Sequence, residues 1–115
     1  MLEPVKPSID VPSKGKSIPI GDRIPITMNI GDNVTSLPDT PLTIQCPVSG
    51  VPPPKLTWTK DGKPLTTGEA FTVTKAGTLL VRGSMQGDSG LYTCTATNVA
   101  GNASVSSRVT IVGKF

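Results

Sequence analysis

The 115 residues carry a formal net charge of +3, from 11 Lys and Arg against 8 Asp and Glu. That length suits one domain around one core, and the ordinary apolar (36%) and charged (17%) fractions exclude a disordered chain. The sequence has no histidine and two cysteines, which removes the commonest general base and leaves no ligand set for a structural zinc.

The basic residues are interspersed with acids, as in Lys60-Asp61, and no basic run or row of stacking aromatics offers a footprint for nucleic acid. No apolar stretch is long enough to span a bilayer, so this domain is not expected to insert into a membrane. The N-terminus lacks the apolar centre of a signal peptide, so an extracellular protein would carry this chain as a piece of something longer. Gly and Pro, 12 of each, are scattered between short apolar runs. That is the punctuation of an all-β protein with many turns.

Residues 1–23 are rich in Pro, Ser and Lys without sustained alternation, and read as a linker or leading tail with room for one short, late-pairing strand. From Ile24 to Ile30 the pattern predicts a first edge strand, because Pro25 removes a ladder donor. Gly31-Asp32 breaks that strand, and Asn33 to Leu37 continues it beyond a kink. After the Pro38-Asp39-Thr40 turn, Leu42, Ile44, Cys46 and Val48 alternate onto one face.

Ser49 to Pro54 forms a stiff loop. Leu56 to Thr59 is a half-buried strand closed by Asp61-Gly62, a strong tight-turn signal. Phe71 to Thr74 and Leu79 to Val81 pair around Lys75-Ala76-Gly77. Gly90 to Thr97 points Tyr92, Cys94 and Ala96 inward, Asn98 to Asn102 turns, and Ala103 to Val112 supplies the last strand. Residues 24–112 therefore make the domain, and 113–115 a short C-terminal tail.

Cys46, Trp58, Leu79-x-Val81 and Asp88-x-Gly90-x-Tyr92-x-Cys94 stand at spacings that give each a separate task in one two-layer structure. The cysteines lie on inward faces and form no CxxC, so they read as a structural bridge rather than a redox pair. Trp58 reads as a core residue, not a ligand platform. Asp88 opens the turn into the last-but-one strand, and Gly90 supplies an unusual dihedral or a close backbone approach. Asp61 and Asp88 belong to different corners and make no catalytic pair. Ser89 lacks the surroundings of a nucleophile elbow. No catalytic residue, cofactor site or metal site is expected.

The run Cys46…Gly50-x-Pro52…Trp58-x-Lys60-Asp61-Gly62…Leu79-x-Val81…Asp88-x-Gly90-x-Tyr92-x-Cys94-x-Ala96-x-Asn98-x-x-Gly101 resembles an I-set immunoglobulin domain over residues 24–112. The resemblance implies a β-sandwich of two antiparallel sheets with Greek-key connections, an inter-sheet Cys46–Cys94 disulfide, Trp58 packed on that bridge, and a Tyr92 hydroxyl bonded back to the backbone upstream. No arginine precedes Phe71, so the ion pair that some such domains make to the acid at Asp88 lacks its usual partner, with Arg82 as a substitute. Ile30-Gly31-Asp32-Asn33-Val34 together with Leu42 to Gly50 further resembles the immunoglobulin domains of ADAMTS-like and papilin secreted matrix glycoproteins.

Paired cysteines favour an oxidising compartment. Asn33-Val34-Thr35 and Asn102-Ala103-Ser104 are acceptor triplets for N-glycosylation and point the same way. The expected function is a non-catalytic binding or adhesion module of a secreted matrix or cell-surface protein, with extracellular protein partners and neighbouring domains of its own chain. A passive spacer and a muscle-type cytoskeletal domain stand as alternatives. Two surfaces are candidates for contact: the outward threonines Thr57, Thr59, Thr93, Thr95 and Thr97, and the stiff Pro52-Pro53-Pro54 loop.

Overall fold

The computed structural model describes residues 3–10, 17–18, 26–65, 68, 71–82 and 86–112. The strand start expected at Ile24 and Pro25, much of the leading segment and the 113–115 tail lie outside the described residues. In chain order the strands are β1 (Val5–Ile9), β2 (Ser17–Ile18), β3 (Ile26–Asn29), β4 (Asn33–Ser36), β5 (Leu42–Gln45) and β6 (Val48–Val51). They continue with β7 (Lys55–Lys60), β8 (Lys63–Pro64), β9 (Phe71–Val73), β10 (Leu79–Val81), β11 (Gly90–Asn98) and β12 (Gly101–Ile111). A 3₁₀ turn, Gln86–Asp88, precedes β11.

Two sheets face each other across the core. One holds β3-β5-β10-β9, the other β2-β4-β12-β11-β7-β8, and β1 pairs with β6 as a separate ribbon. The chain changes sheet between β5 and β7 and again between β10 and β11, which places sequence-distant strands side by side. Buried Leu42 and Ile44 on β5, Leu79 and Val81 on β10, Trp58 on β7, and Tyr92, Cys94 and Ala96 on β11 fill the space between them. Period-two alternation explains this, since every second side chain of a strand faces the opposite sheet. Each large apolar side chain so buried contributes about 1.5–3 kcal/mol.

The Cys46–Cys94 disulfide joins the two layers, with a Cα–Cα distance of 6.5 Å. The architecture is thus the all-β, disulfide-bridged sandwich that the alternation suggested. Its pairings are antiparallel through the centre and at one edge of each sheet, but parallel toward the other edge: β3 runs parallel to β5, β4 to β12, and β2 to β4. Alternation encodes which face a residue takes, not the direction of the neighbouring strand, so the edge pairings had no sequence signal.

The kink at Gly31-Asp32 is where the chain passes from the sheet of β3 to the sheet of β4. Gly31 sits at φ 102°, a left-handed conformation that glycine adopts without a Cβ clash. Its N–H donates to the buried Ser107 hydroxyl at 2.7 Å, and the Asn29 N–H donates to the Asp32 carboxylate at 3.2 Å. Asp61 and Gly62, at φ 52° and 84°, join β7 to β8 by a two-residue loop with Lys60 opposite Lys63. That is the turn geometry favoured for tight hairpins.

The short, late-pairing strand for which the leading segment had room is β1, residues 5–9. Val5 stands opposite Val51 and Ile9 opposite Val48, and the Asp10 N–H donates to the Pro47 carbonyl at 2.9 Å. Pro7 is buried. Its place and partner had no local signal, because β6 is distant in sequence and no alternation marks residues 5–9.

Candidate functional site

The residues singled out by spacing converge on the interior. The Trp58 indole N–H donates to the Gly77 carbonyl at 2.8 Å, a buried bond that links β7 to the turn between β9 and β10. Leu79 is buried on β10 beside it in sequence. The Tyr92 hydroxyl donates to the Asp88 carbonyl four residues upstream, and its ring lies 6.2 Å from that of Phe71, tilted by 56°. Burial above all, and then the Asp88 and Asp61 carboxylates, push the Tyr92 hydroxyl well above its ordinary value of 10.0. A neutral phenol is therefore held against a backbone oxygen. In the neutral form this group is a staple between β11 and the turn before it.

The Asp61 carboxylate accepts the Leu91 N–H at 2.9 Å, while the Asp61 N–H donates to the Leu91 carbonyl at 2.9 Å. A Cβ on Gly90 would come within 2.6 Å of the Asp61 Oδ2, so Gly90 serves a close approach. Ser89 accepts the Ile111 N–H at 2.8 Å and donates to the Ile111 carbonyl at 3.3 Å. Its hydroxyl stands in for a strand partner at the end of β12. Arg82 donates to the Thr72 hydroxyl at 2.7 Å. Among the described residues no group of three or more Cys, Asp or Glu is placed to hold a metal ion.

One end of the sandwich gathers exposed apolar residues. The Asn98 amide donates to the Val5 carbonyl at 2.8 Å and to the Pro52 carbonyl at 3.1 Å, and its oxygen accepts the Ala100 N–H at 2.8 Å. A single side chain thus ties together β1, the proline loop and the turn between β11 and β12. On that frame stand Val99, 82% exposed, Val5, 52% exposed, and the exposed Pro52 and Pro53. Sequence reasoning named the proline loop but missed the other two valines, since an isolated exposed Val carries no pattern. Asn98 itself reads only as a turn residue until its partners are seen.

The second candidate surface lies on the outer side of the larger sheet. Thr57 pairs with Thr95, and Thr59 with Thr93, across β7 and β11. Across β11 and β12 the hydroxyls of Thr93 and Ser106 lie 2.7 Å apart, and those of Thr95 and Ser104 3.0 Å apart. Thr97 continues this row opposite Asn102. These groups hydrogen-bond to one another, as cross-strand threonine pairs commonly do, and they present a polar, uncharged surface. The two acceptor asparagines are both exposed, Asn33 at the start of β4 and Asn102 near the start of β12.

The family model for the immunoglobulin I-set domain matches residues 13–111. Human hemicentin-1 is 41% identical over 73 residues, which is 64% of this chain and 1% of the relative. Mouse myopalladin is 40% identical over 75 residues, 62% of this chain and 6% of the relative. The chain therefore spans only a small fraction of the curated relatives it matches. Among solved structures, titin domain M7 superposes with a TM-score of 0.73 at 30% identity, covering 97% of this chain and 99% of that one.

Proposed function

The chain belongs to the immunoglobulin I-set domain family, and from that premise we propose that it is a non-catalytic protein-binding module of a larger secreted or cell-surface protein. It docks a protein partner through the end framed by Asn98. The observation that carries this reading is the 82% exposure of Val99 on a turn that the Asn98 side chain holds rigid. An apolar residue on a preorganised turn loses little entropy when a partner covers it. Val5, Pro52 and Pro53 extend the same patch, so a partner that covers this end removes several apolar groups from water.

The buried disulfide supports an extracellular home, because glutathione keeps cytosolic cysteines reduced. The relatives divide on this point, since extracellular proteins such as hemicentin-1 and muscle proteins such as myopalladin are both similar to this chain. A muscle-type structural domain is the second reading, favoured by the likeness to titin domain M7. The bridge is the feature that separates the two. Within the extracellular reading, the Ile30–Val34 and Leu42–Gly50 segments favour a matrix glycoprotein of the ADAMTS-like or papilin kind.

Two immobilised domains test the docking reading, the native chain and its Val99→Asp variant, each challenged with extracellular-matrix and cell-surface extracts. Val99 touches little of its own domain, so the variant folds. Proteins retained by the native chain and lost from the variant support docking through this end. Equal retention by both, or none by either, overturns it.

A further inference from the structure

On β4, Val34 and Ser36 are buried while Asn33 is exposed, and on β12 Ser107, Val109 and Ile111 are buried while Asn102, Ser104, Ser106, Arg108 and Thr110 are exposed. Val34 stands opposite Val109 in the parallel β4–β12 pairing. Both acceptor asparagines therefore project from the same outer face, the one that carries the threonine and serine hydroxyls. Along β12, Asn102 lies six residues before Arg108, the neighbour of Asn33, so the two anchors are separated by roughly 20 Å.

The local chemistry suits both. The Arg108 backbone N–H donates to the Asn33 side-chain oxygen at 3.0 Å. The bond engages only the oxygen of this exposed side chain and leaves the amide nitrogen outside it. That nitrogen is the atom that carries sugar, and glycosylation leaves the oxygen free to keep its bond. Asn102 sits exposed beside the turn that bears Val99, with the Ser104 hydroxyl of its triplet on the same surface. An acceptor triplet on an exposed strand face has room for a bulky, solubilising group.

We propose that Asn33 and Asn102 both carry N-linked oligosaccharide when the chain passes through the secretory pathway, so that the outer face of the larger sheet is a sugar-covered face. In each transfer the asparagine amide nitrogen attacks the anomeric carbon of a lipid-pyrophosphate-linked oligosaccharide. A C–N bond forms, the C–O bond to pyrophosphate breaks, the nitrogen gives up one proton, and the lipid pyrophosphate leaves. The hydroxyl rows of Thr93–Ser106 and Thr95–Ser104 lie between the anchors and offer sugar a flat polar bed. Close-fitting protein contact is then left to the ends of the sandwich and to the sheet of β3, β5, β10 and β9.

This proposal rests on the extracellular reading, but its test does not depend on the docking test. The chain is secreted from mammalian cells behind an added signal peptide and treated with peptide-N-glycosidase in heavy-oxygen water. Peptide mass spectrometry then reads each asparagine. Heavy-labelled aspartate at both positions supports the proposal, and unmodified asparagine at either position overturns it. Thr35→Ala must abolish labelling at Asn33, and Ser104→Ala at Asn102, without altering either asparagine. Ser104→Thr, which keeps the triplet, must retain it. Docking is read separately through Val99→Asp with both asparagines intact, so either idea can fail alone.

Discussion

Gly77 accepts the Trp58 indole N–H at 2.8 Å through its carbonyl, and its own α-carbon lies against Leu56, where an added Cβ would come within 2.0 Å of Cδ1. One glycine thus orients the central aromatic and leaves space for its strand neighbour. Gly77 also sits at φ 89°, where a side chain is strained whatever the space. Two independent costs meet at one position.

Gly77→Ala is therefore expected to lower stability by about 1–3 kcal/mol, chiefly from backbone strain, with a smaller part from displacing the end of the half-buried Leu56 side chain. Urea unfolding followed by the single tryptophan measures it. In a Leu56→Ala background, itself less stable for the lost core contact, Gly77→Ala should cost less, since the obstructing methyl is gone and only the backbone strain remains. A Gly77→Ala protein as stable as the native chain would show that the turn yields freely.

A second pair couples Gly90 to Asp61. Gly90→Ala forces a methyl group against the Asp61 carboxylate and threatens its bond to the Leu91 N–H. The expected loss is about 2 kcal/mol, as for other overpacked sites. In an Asp61→Ala background the same Gly90→Ala change should cost much less, because the obstructing oxygen is gone. The double-mutant cycle then reports a coupling well above the error of two independent sites. Additive losses would mean that Gly90 is needed for another reason.

Most of this fold was legible in the residues. Alternation placed Leu42, Ile44, Cys46, Tyr92 and Cys94 inward, and all five are buried. The Asp61-Gly62 pair announced its hairpin turn. What escaped was long-range and directional: β1 pairing with β6, the parallel edge strands, and the reach of Asn98 to the Val5 and Pro52 carbonyls. Those contacts depend on which distant segments the folded sheets bring together. A residue's type shows that it can hydrogen-bond, but its partner is set by topology.

Tyr92 predicts a pH dependence. Tyrosine is an acid, and burial and the two nearby carboxylates raise its value in the folded chain above the 10.0 of an exposed phenol. Above pH 10 the unfolded chain has lost this proton while the folded chain keeps it, so stability falls as pH rises further. The limiting slope is about 1.4 kcal/mol per pH unit for one such group. Below pH 10 both states hold the proton and no dependence arises from Tyr92. Tyr92→Phe should cost about 1 kcal/mol at neutral pH for the lost hydrogen bond, and should flatten the alkaline slope relative to the native chain. Every other ionisable group is common to the two proteins, so the difference between the two curves isolates the phenol. Tyr92 is the one tyrosine of the chain, and its phenolate absorbance should rise only as the protein unfolds. Phenolate appearing near pH 10 in the folded protein would overturn the argument.

The disulfide bears on both stability and compartment. Cys46 and Cys94 are 48 residues apart, and closing a loop of that length restricts the unfolded chain by about 4 kcal/mol in the chain-entropy picture. Native domains have only about 5–15 kcal/mol in total. Cys46→Ala with Cys94→Ala should therefore bring the urea midpoint down by a large fraction, and in a marginal domain the protein unfolds at physiological temperature. Cys94 is fully buried and Cys46 nearly so, so a thiol reductant reaches the bridge only when the core opens. Reduction of the native chain should then proceed at the opening rate and become independent of reductant at high concentration. A domain that keeps its midpoint without the bridge would be equally at home in a reducing cytosol, and the muscle-type reading would gain the ground that the extracellular one lost.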